Sequence, residues 1–206
     1  MTSEATPETT RPPVSQAMRS IERAFLIGVE EATEVVLVRH ADCYEDLDDT
    51  LDDPPLSAAG REQARRLGER LRRLHPAAVV SSPLRRAQET AAQIGLPVTT
   101  DDRLVEVAVD STSGYVHVEE DPQAATRRIT SVVDELVHRF PGKRVVVVTH
   151  GVLILNYLCD VLRIEPGRLR LLPYYTSLNV VRILGERRMA GALGDIAHLE
   201  GMPWLR

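Results

Sequence analysis

The run VVLVRH at residues 35–40 decides the fold. Its four aliphatic residues do not alternate with polar ones, so the segment reads as a short strand covered on both faces. A guanidinium and an imidazole follow at once, as Arg39 and His40. The same arrangement returns in VVVVTHG at 145–151, which delivers His150. Shorter apolar runs lie at 78–80 and at 180–184, the latter interrupted by Arg182. Between the first two runs lies SAAGREQARRLGERLRRLHP, residues 57–76. There Ala64, Leu67, Leu71 and Leu74 form one helical face, Ser57 is a natural N-cap, and Pro76 follows the end. Buried runs separated by helices predict an α/β chain with a parallel or mostly parallel sheet covered on both faces. In such sheets ligands sit beyond the carboxyl ends of the strands. His40 and His150 both fall there.

The 206 residues suit one domain of ordinary size. With 25 basic and 30 acidic side chains the net charge is −5, which argues against a general nucleic-acid binder. The arginine-rich stretch 61–73 also carries Glu62 and Glu69, so it reads as a solvated helix face. No run approaches the roughly 20 apolar residues of a membrane span. Two cysteines, Cys43 and Cys159, cannot form a disulfide framework and point to a reducing, cytoplasmic setting. Residues 1–16 are rich in Thr, Glu and Pro and are expected to be a flexible tail without the pattern of a secretory signal. Residues 17–33 are expected to hold an amphipathic helix, with Met18, Ile21 and Phe25 at helical spacing. That helix would dock on the main domain; a homodimer or membrane-surface contact is the alternative.

The run at 78–80 leads into SSPLRRAQETA, residues 81–91. Ser82 as N-cap and Pro83 at the first helical position would start a helix whose first turn holds Arg85 and Arg86. A helix dipole disfavours cations there, so two arginines imply that an anion is expected nearby. Guanidinium groups match phosphate oxygens, and an imidazole can act as a nucleophile. No HExxH, paired CxxC or glycine-rich phosphate loop occurs, so the expected chemistry is phosphoryl transfer without metal or cofactor.

Four segments in order, VVLVRHAD (35–42), DPPLSAAGREQARRL (53–67), VVSSPLRRAQETA (79–91) and VVVVTHG (145–151), resemble the histidine phosphatase, or phosphoglycerate-mutase-like, superfamily. The likeness runs over about residues 34–160, and YTSLNVVRIL and GDIAHL are similar to the family's closing strands. It implies a three-layer α/β/α sandwich, a domain over 34–206 and a short cap at about 107–144. It also implies a phosphohistidine intermediate. His40 would be the nucleophile, Arg39 and Arg86 would hold the phosphoryl oxygens, and His150 would be the partner histidine. Gly151 would join them in binding substrate. Glu106, in Leu104-Val105-Glu106, would be the general acid. Arg85 falls at a variable position and is left out.

Three features depart from the family pattern. Ala41 stands where glycine is commonest, and Asp46 falls near the place of a phosphate-contacting asparagine. Residues 42–53 hold seven acids and no base, either a solvated loop or a rim that disfavours strongly anionic substrates. Tyr115 and His117 would line the leaving-group side or form a small surface strand. The expected function is a phosphatase acting on small phosphomonoesters. Alternatives are a mutase-type transfer or a non-catalytic phosphate-binding protein of the same fold.

Overall fold

The computed structural model describes residues 14–44, 53–110 and 117–202. A six-stranded sheet runs in the order β3-β2-β6-β1-β7-β8. Its strands are β1 (Thr33–Arg39), β2 (Ala78–Ser81), β3 (Val98–Thr100), β6 (Arg144–Thr149), β7 (Leu178–Leu184) and β8 (Arg187–Asp195). β3, β2, β6 and β1 are parallel, whereas β7 is antiparallel to β1 and β8 to β7. The sheet is thus mostly parallel with an antiparallel hairpin on one edge. Val35 pairs with Val145 and Arg39 with Thr149, so β1 and β6 end level with each other. His40 and His150 leave the sheet side by side for that reason.

Side-chain alternation explains why both runs are apolar throughout. Val35, Leu37, Val145 and Val147 face one core with α4 (Pro122–Arg139) and α5 (Gly151–Leu162). Val36, Val38, Val146 and Val148 face the other, with α2 (Ala58–Arg72) and α3 (Arg85–Ala92). Residues of period two therefore enter two separate cores. Each fully buried Leu or Ile contributes about 1.5–3 kcal/mol by leaving water. The α/β/α layering follows from that arrangement. Among the described residues, no helix is long and apolar enough to cross a membrane.

The start of α2 is fastened to the loop after β1. Ser57 Oγ accepts from the Gly60 amide at 2.9 Å and donates to the Asp42 carboxylate at 2.6 Å. The Asp42 amide donates to Gln63 Oε1 at 2.9 Å, and the Ser57 amide donates to the Asp42 carbonyl at 3.0 Å. Gly60 is needed where it stands, because a Cβ there would overlap the Asp42 carbonyl oxygen. These bonds hold residues 40–42 against the helix.

Several expected boundaries move. The N-terminal helix α1 spans Val14–Ala24, not 17–33, and buries none of its residues. Met18, Ile21 and Phe25 are about half exposed. Leu26 adopts a left-handed φ of 57° just after the helix and is the first buried residue among those described. The chain enters the body through Leu26 and β1, so the helix is not docked by its apolar face. Of the expected tail, residues 14–16 belong to α1, and 1–13 lie outside the described residues. β1 begins at Thr33, one residue before the expected domain start.

The expected cap at 107–144 resolves into two different things. Its larger part, α4, buries Ala125, Ile129, Val132, Val133 and Leu136 against the sheet and belongs to the core layer. Only a two-stranded ribbon, β4 (Val109–Asp110) and β5 (His117–Val118), stands apart from the main sheet. α3 starts at Arg85 and not at Pro83, because Leu84 remains extended at φ −67° and ψ 139°.

Candidate active site

The carboxyl ends of β1, β2 and β6 converge on one place. The His40 amide donates to the Thr149 carbonyl at 2.9 Å, and the Ser82 amide donates to the Val148 carbonyl at 2.9 Å. His40 is 2% exposed and His150 is fully buried. Their ring centroids are 5.1 Å apart.

His40 Nδ1 lies 2.8 Å from the Ala41 carbonyl oxygen. A carbonyl can only accept, so Nδ1 carries the proton and the neutral ring keeps its lone pair on Nε2. The Ala41 amide is itself held by Thr90 Oγ1 at 2.9 Å. Burial lowers the His40 pKa to about 3; the Ala41 carbonyl opposes the shift, and Arg86 and Arg39 reinforce it. The ring is thus held neutral, with its lone pair on Nε2, through the working pH range.

His150 is the N-cap residue of α5, and its Nε2 lies 2.8 Å from Ser82 Oγ. The Leu84 amide donates to that same oxygen at 3.3 Å. The hydroxyl keeps its proton and a second lone pair, so Ser82 can serve Nε2 of either neutral tautomer. His150 Nδ1 is buried without a hydrogen-bond partner among the described residues. Burial, then His40, Arg86 and Arg39, push its pKa down to about 2.

The two arginines share this condition. Arg39 stacks on the Tyr175 ring at 4.1 Å and donates through Nη1 to the Pro173 carbonyl at 3.0 Å. Arg86 donates through Nη1 to Asp53 at 3.3 Å. The Nε of each is buried and unpartnered among the described residues. Gly151 opens α5 beside them, and a Cβ added there would meet Arg39 Nε at 3.3 Å and Leu172 Cδ1 at 3.2 Å. Its lack of a side chain lets the guanidinium approach the helix start.

Glu106 follows a tight turn over Asp102–Leu104 that is tied to β6 by Thr149 Oγ1, which donates to the Leu104 carbonyl at 2.6 Å. Its Oε1 accepts from the Val107 and Leu153 amides at 2.9 and 3.1 Å, and Oε2 accepts from the Val152 amide at 3.3 Å. The carboxylate therefore sits on the first turn of the helix that His150 caps. His40, His150, Arg39, Arg86 and Gly151 are brought together at the strand ends, with Glu106 on the adjoining helix end.

Sequence reading missed Ser82 as a partner of His150; its place just beyond β2 was the available signal. It also missed Asp53, whose Oδ2 accepts from the Arg85 amide at 2.8 Å while Oδ1 faces Arg86. This carboxylate occupies the first free amide of α3, in the manner of an anion at a helix N-terminus. Tyr175 carried no local signal. It reaches the site because antiparallel β7 begins beside the end of β1, and the Thr176 amide donates to the Arg39 carbonyl at 3.0 Å. Asp46 and Tyr115 lie outside the described residues, as does the side chain of His117.

The family model for the histidine phosphatase superfamily (branch 1) matches residues 35–119 and 112–195. The chain is 30% identical over 208 aligned residues to phosphoglycerate mutase-like protein 4 of Arabidopsis thaliana, covering 84% of this chain and 90% of that protein. It is 28% identical to the metal-independent phosphoserine phosphatase of the same plant, covering 85% and 87% of the two chains. The solved structure of Bacillus stearothermophilus YhfR aligns with a TM-score of 0.72 at 26% identity, over 82% of this chain and all of that one. The chain belongs to the histidine phosphatase superfamily. Within that class it is a phosphoric monoester hydrolase.

The buried histidines set a pH dependence. In the unfolded chain each titrates near 6.5, whereas in the fold His40 and His150 fall to about 3 and about 2, and His198 to about 4. The unfolded state therefore binds more protons below pH 6.5. The full contribution of these groups is present above that pH and is lost as pH falls from 6.5 toward the folded values. Each group contributes up to about 1.4 kcal/mol per pH unit in that window. The thermal midpoint should fall between pH 7 and pH 5, and added inorganic phosphate should lessen the fall by favouring protonated His150. A midpoint unchanged over this range would contradict the burial argument.

Proposed function

We propose that the chain hydrolyses small phosphomonoesters through a phosphohistidine on His40. The observation that carries this reading is the set of three buried nitrogens near His40 that have no partner among the described residues: Arg39 Nε, Arg86 Nε and His150 Nδ1. Burying polar groups without partners costs about 1–3 kcal/mol each unless a ligand completes them. A phosphoryl group offers three acceptor oxygens in the right place.

In the proposed reaction His40 Nε2 donates its lone pair to phosphorus, and the ester P–O bond breaks. Glu106 gives a proton to the departing oxygen; among the described residues its Oε2 holds one long hydrogen bond, from the Val152 amide, and is the oxygen better placed to carry the proton. Arg39, Arg86 and His150 neutralise the charge on the phosphoryl oxygens, with the Gly151 amide at the start of α5 beside them. Glu106 then takes a proton from water as the water oxygen attacks phosphorus. The P–N bond breaks, and inorganic phosphate and neutral His40 are regenerated.

Two free, buried thiols, Cys43 and Cys159, support a cytoplasmic setting. The exposed stripe of Val14, Met18 and Ile21 on α1, continued by Phe25 just after it, supports a homodimer. The test of function is phosphate release from p-nitrophenyl phosphate and 3-phosphoglycerate, with and without EDTA. Release that persists in EDTA is expected. Isomerisation of phosphoglycerate without free phosphate would favour the mutase reading, and binding without turnover would favour the phosphate-binding one.

A further inference from the structure

Tyrosine rings border His40. Ring centroids of Tyr175 and Tyr44 lie 5.9 and 6.4 Å from the His40 ring and 6.4 Å from each other. Tyr174 packs against Tyr175 at 5.6 Å in an edge-on arrangement. Tyr44 and Tyr174 are 46% and 36% exposed, so both present ring surface to solvent beside a nucleophile that is itself almost covered. Leu172, largely exposed, extends this surface toward Gly151. Arg86 and Arg39 are the arginines that bear most on Tyr44, and Arg39 on Tyr175. Each already holds a protein acceptor through Nη1 and keeps Nε for the phosphoryl group.

We infer that the site prefers phosphomonoesters whose leaving group is an aromatic ring and carries no second charge. This rests on the proposed phosphatase reading of the same site. With the phosphoryl group on His40, a leaving group on the tyrosine side lies against the rings of Tyr44 and Tyr175. A ring there gains offset or edge-on contact with two or three tyrosines, whereas a short polar chain gains little. A leaving group with a carboxylate would need a cation beyond Arg39 and Arg86, whose Nη1 groups are already engaged. A quaternary ammonium would compete with Arg39, which already lies over the Tyr175 ring. Burial raises the pKa of both phenols, Tyr175 to about 12, so the lining is uncharged during turnover.

The experiment compares kcat/KM for benzyl phosphate, ethyl phosphate, 3-phosphoglycerate and phosphocholine. All four release an alcohol, so leaving-group acidity does not decide the order. Benzyl phosphate should exceed each of the others by about tenfold. Tyr44→Ala should lower the benzyl-to-ethyl ratio about fivefold, and Tyr44→Phe should restore it. A second measurement needs no turnover and no variant: benzylphosphonate should bind the wild-type protein about tenfold more tightly than ethylphosphonate. If esters are hydrolysed but 3-phosphoglycerate or phosphocholine is the best substrate, the aromatic preference is wrong and the phosphatase reading stands. If benzylphosphonate binds with that preference and no ester is hydrolysed, the phosphatase reading fails and the aromatic preference stands. Equal affinity for the two phosphonates overturns the inference directly.

Discussion

His40→Ala should reduce phosphate release by on the order of 10³-fold or more. The argument is chemical. Nε2 of His40 carries the lone pair of its ring, since Nδ1 is committed to the Ala41 carbonyl. His150 is engaged through Nε2 with Ser82 Oγ. Arg39 and Arg86 would remain, so phosphate should still bind. The variant should therefore lose turnover while retaining inhibition-grade affinity for inorganic phosphate. Acid quenching of the wild-type enzyme with labelled substrate should trap acid-labile label on protein, and the variant should trap none. Turnover surviving in His40→Ala at more than a tenth of the wild-type rate would remove His40 from the reaction path. Circular dichroism at near and far ultraviolet checks that the buried ring was not needed for folding.

The second large effect is expected at Glu106. Glu106→Gln keeps the shape and the Oε1 acceptor that holds the Val107 and Leu153 amides, but cannot deliver a proton. A general acid is worth about 10²–10⁴ in rate when the leaving group is basic. The variant should thus lose 10²-fold or more on ethyl phosphate, whose alkoxide cannot leave unprotonated. On p-nitrophenyl phosphate, whose phenolate leaves readily, the loss in the phosphorylation step should be about tenfold or less. A plot of log kcat/KM against leaving-group pKa should steepen accordingly. Equal losses on both esters would show that Glu106 acts only as a cap on α5, and another proton source would then be needed.

Much of the arrangement was legible because strand ends are a local property. Residues 35–38 and 145–148 are aliphatic on both faces because two different cores receive alternate side chains, and that pattern is visible without coordinates. Ser57 as the cap of α2 was equally local, since its hydroxyl acts within three residues. Features set by distant segments were misread or missed. α4 looked like part of a cap because an amphipathic helix does not reveal which surface covers its apolar side. β8, with RRMAGALGD, lacks apolar alternation because it is an edge strand paired on one side only. The docking expected of α1 failed because helical spacing of Met18, Ile21 and Phe25 shows a stripe, not its partner.

The amino-acid sequence alone determined which side chains could do the chemistry and at which end of the sheet they would stand, because hydrophobic period and strand termination act over a few residues. Only the tertiary structure decided that Arg39 Nε, Arg86 Nε and His150 Nδ1 would be buried without partners among the described residues, and that Tyr44 and Tyr175 would border His40. Those outcomes depend on strand order, on β1 and β6 ending in register, and on an antiparallel β7 bringing residues 174–175 back to the carboxyl edge. Such long-range pairings arise from burial of the whole core, and no short stretch of sequence encodes them.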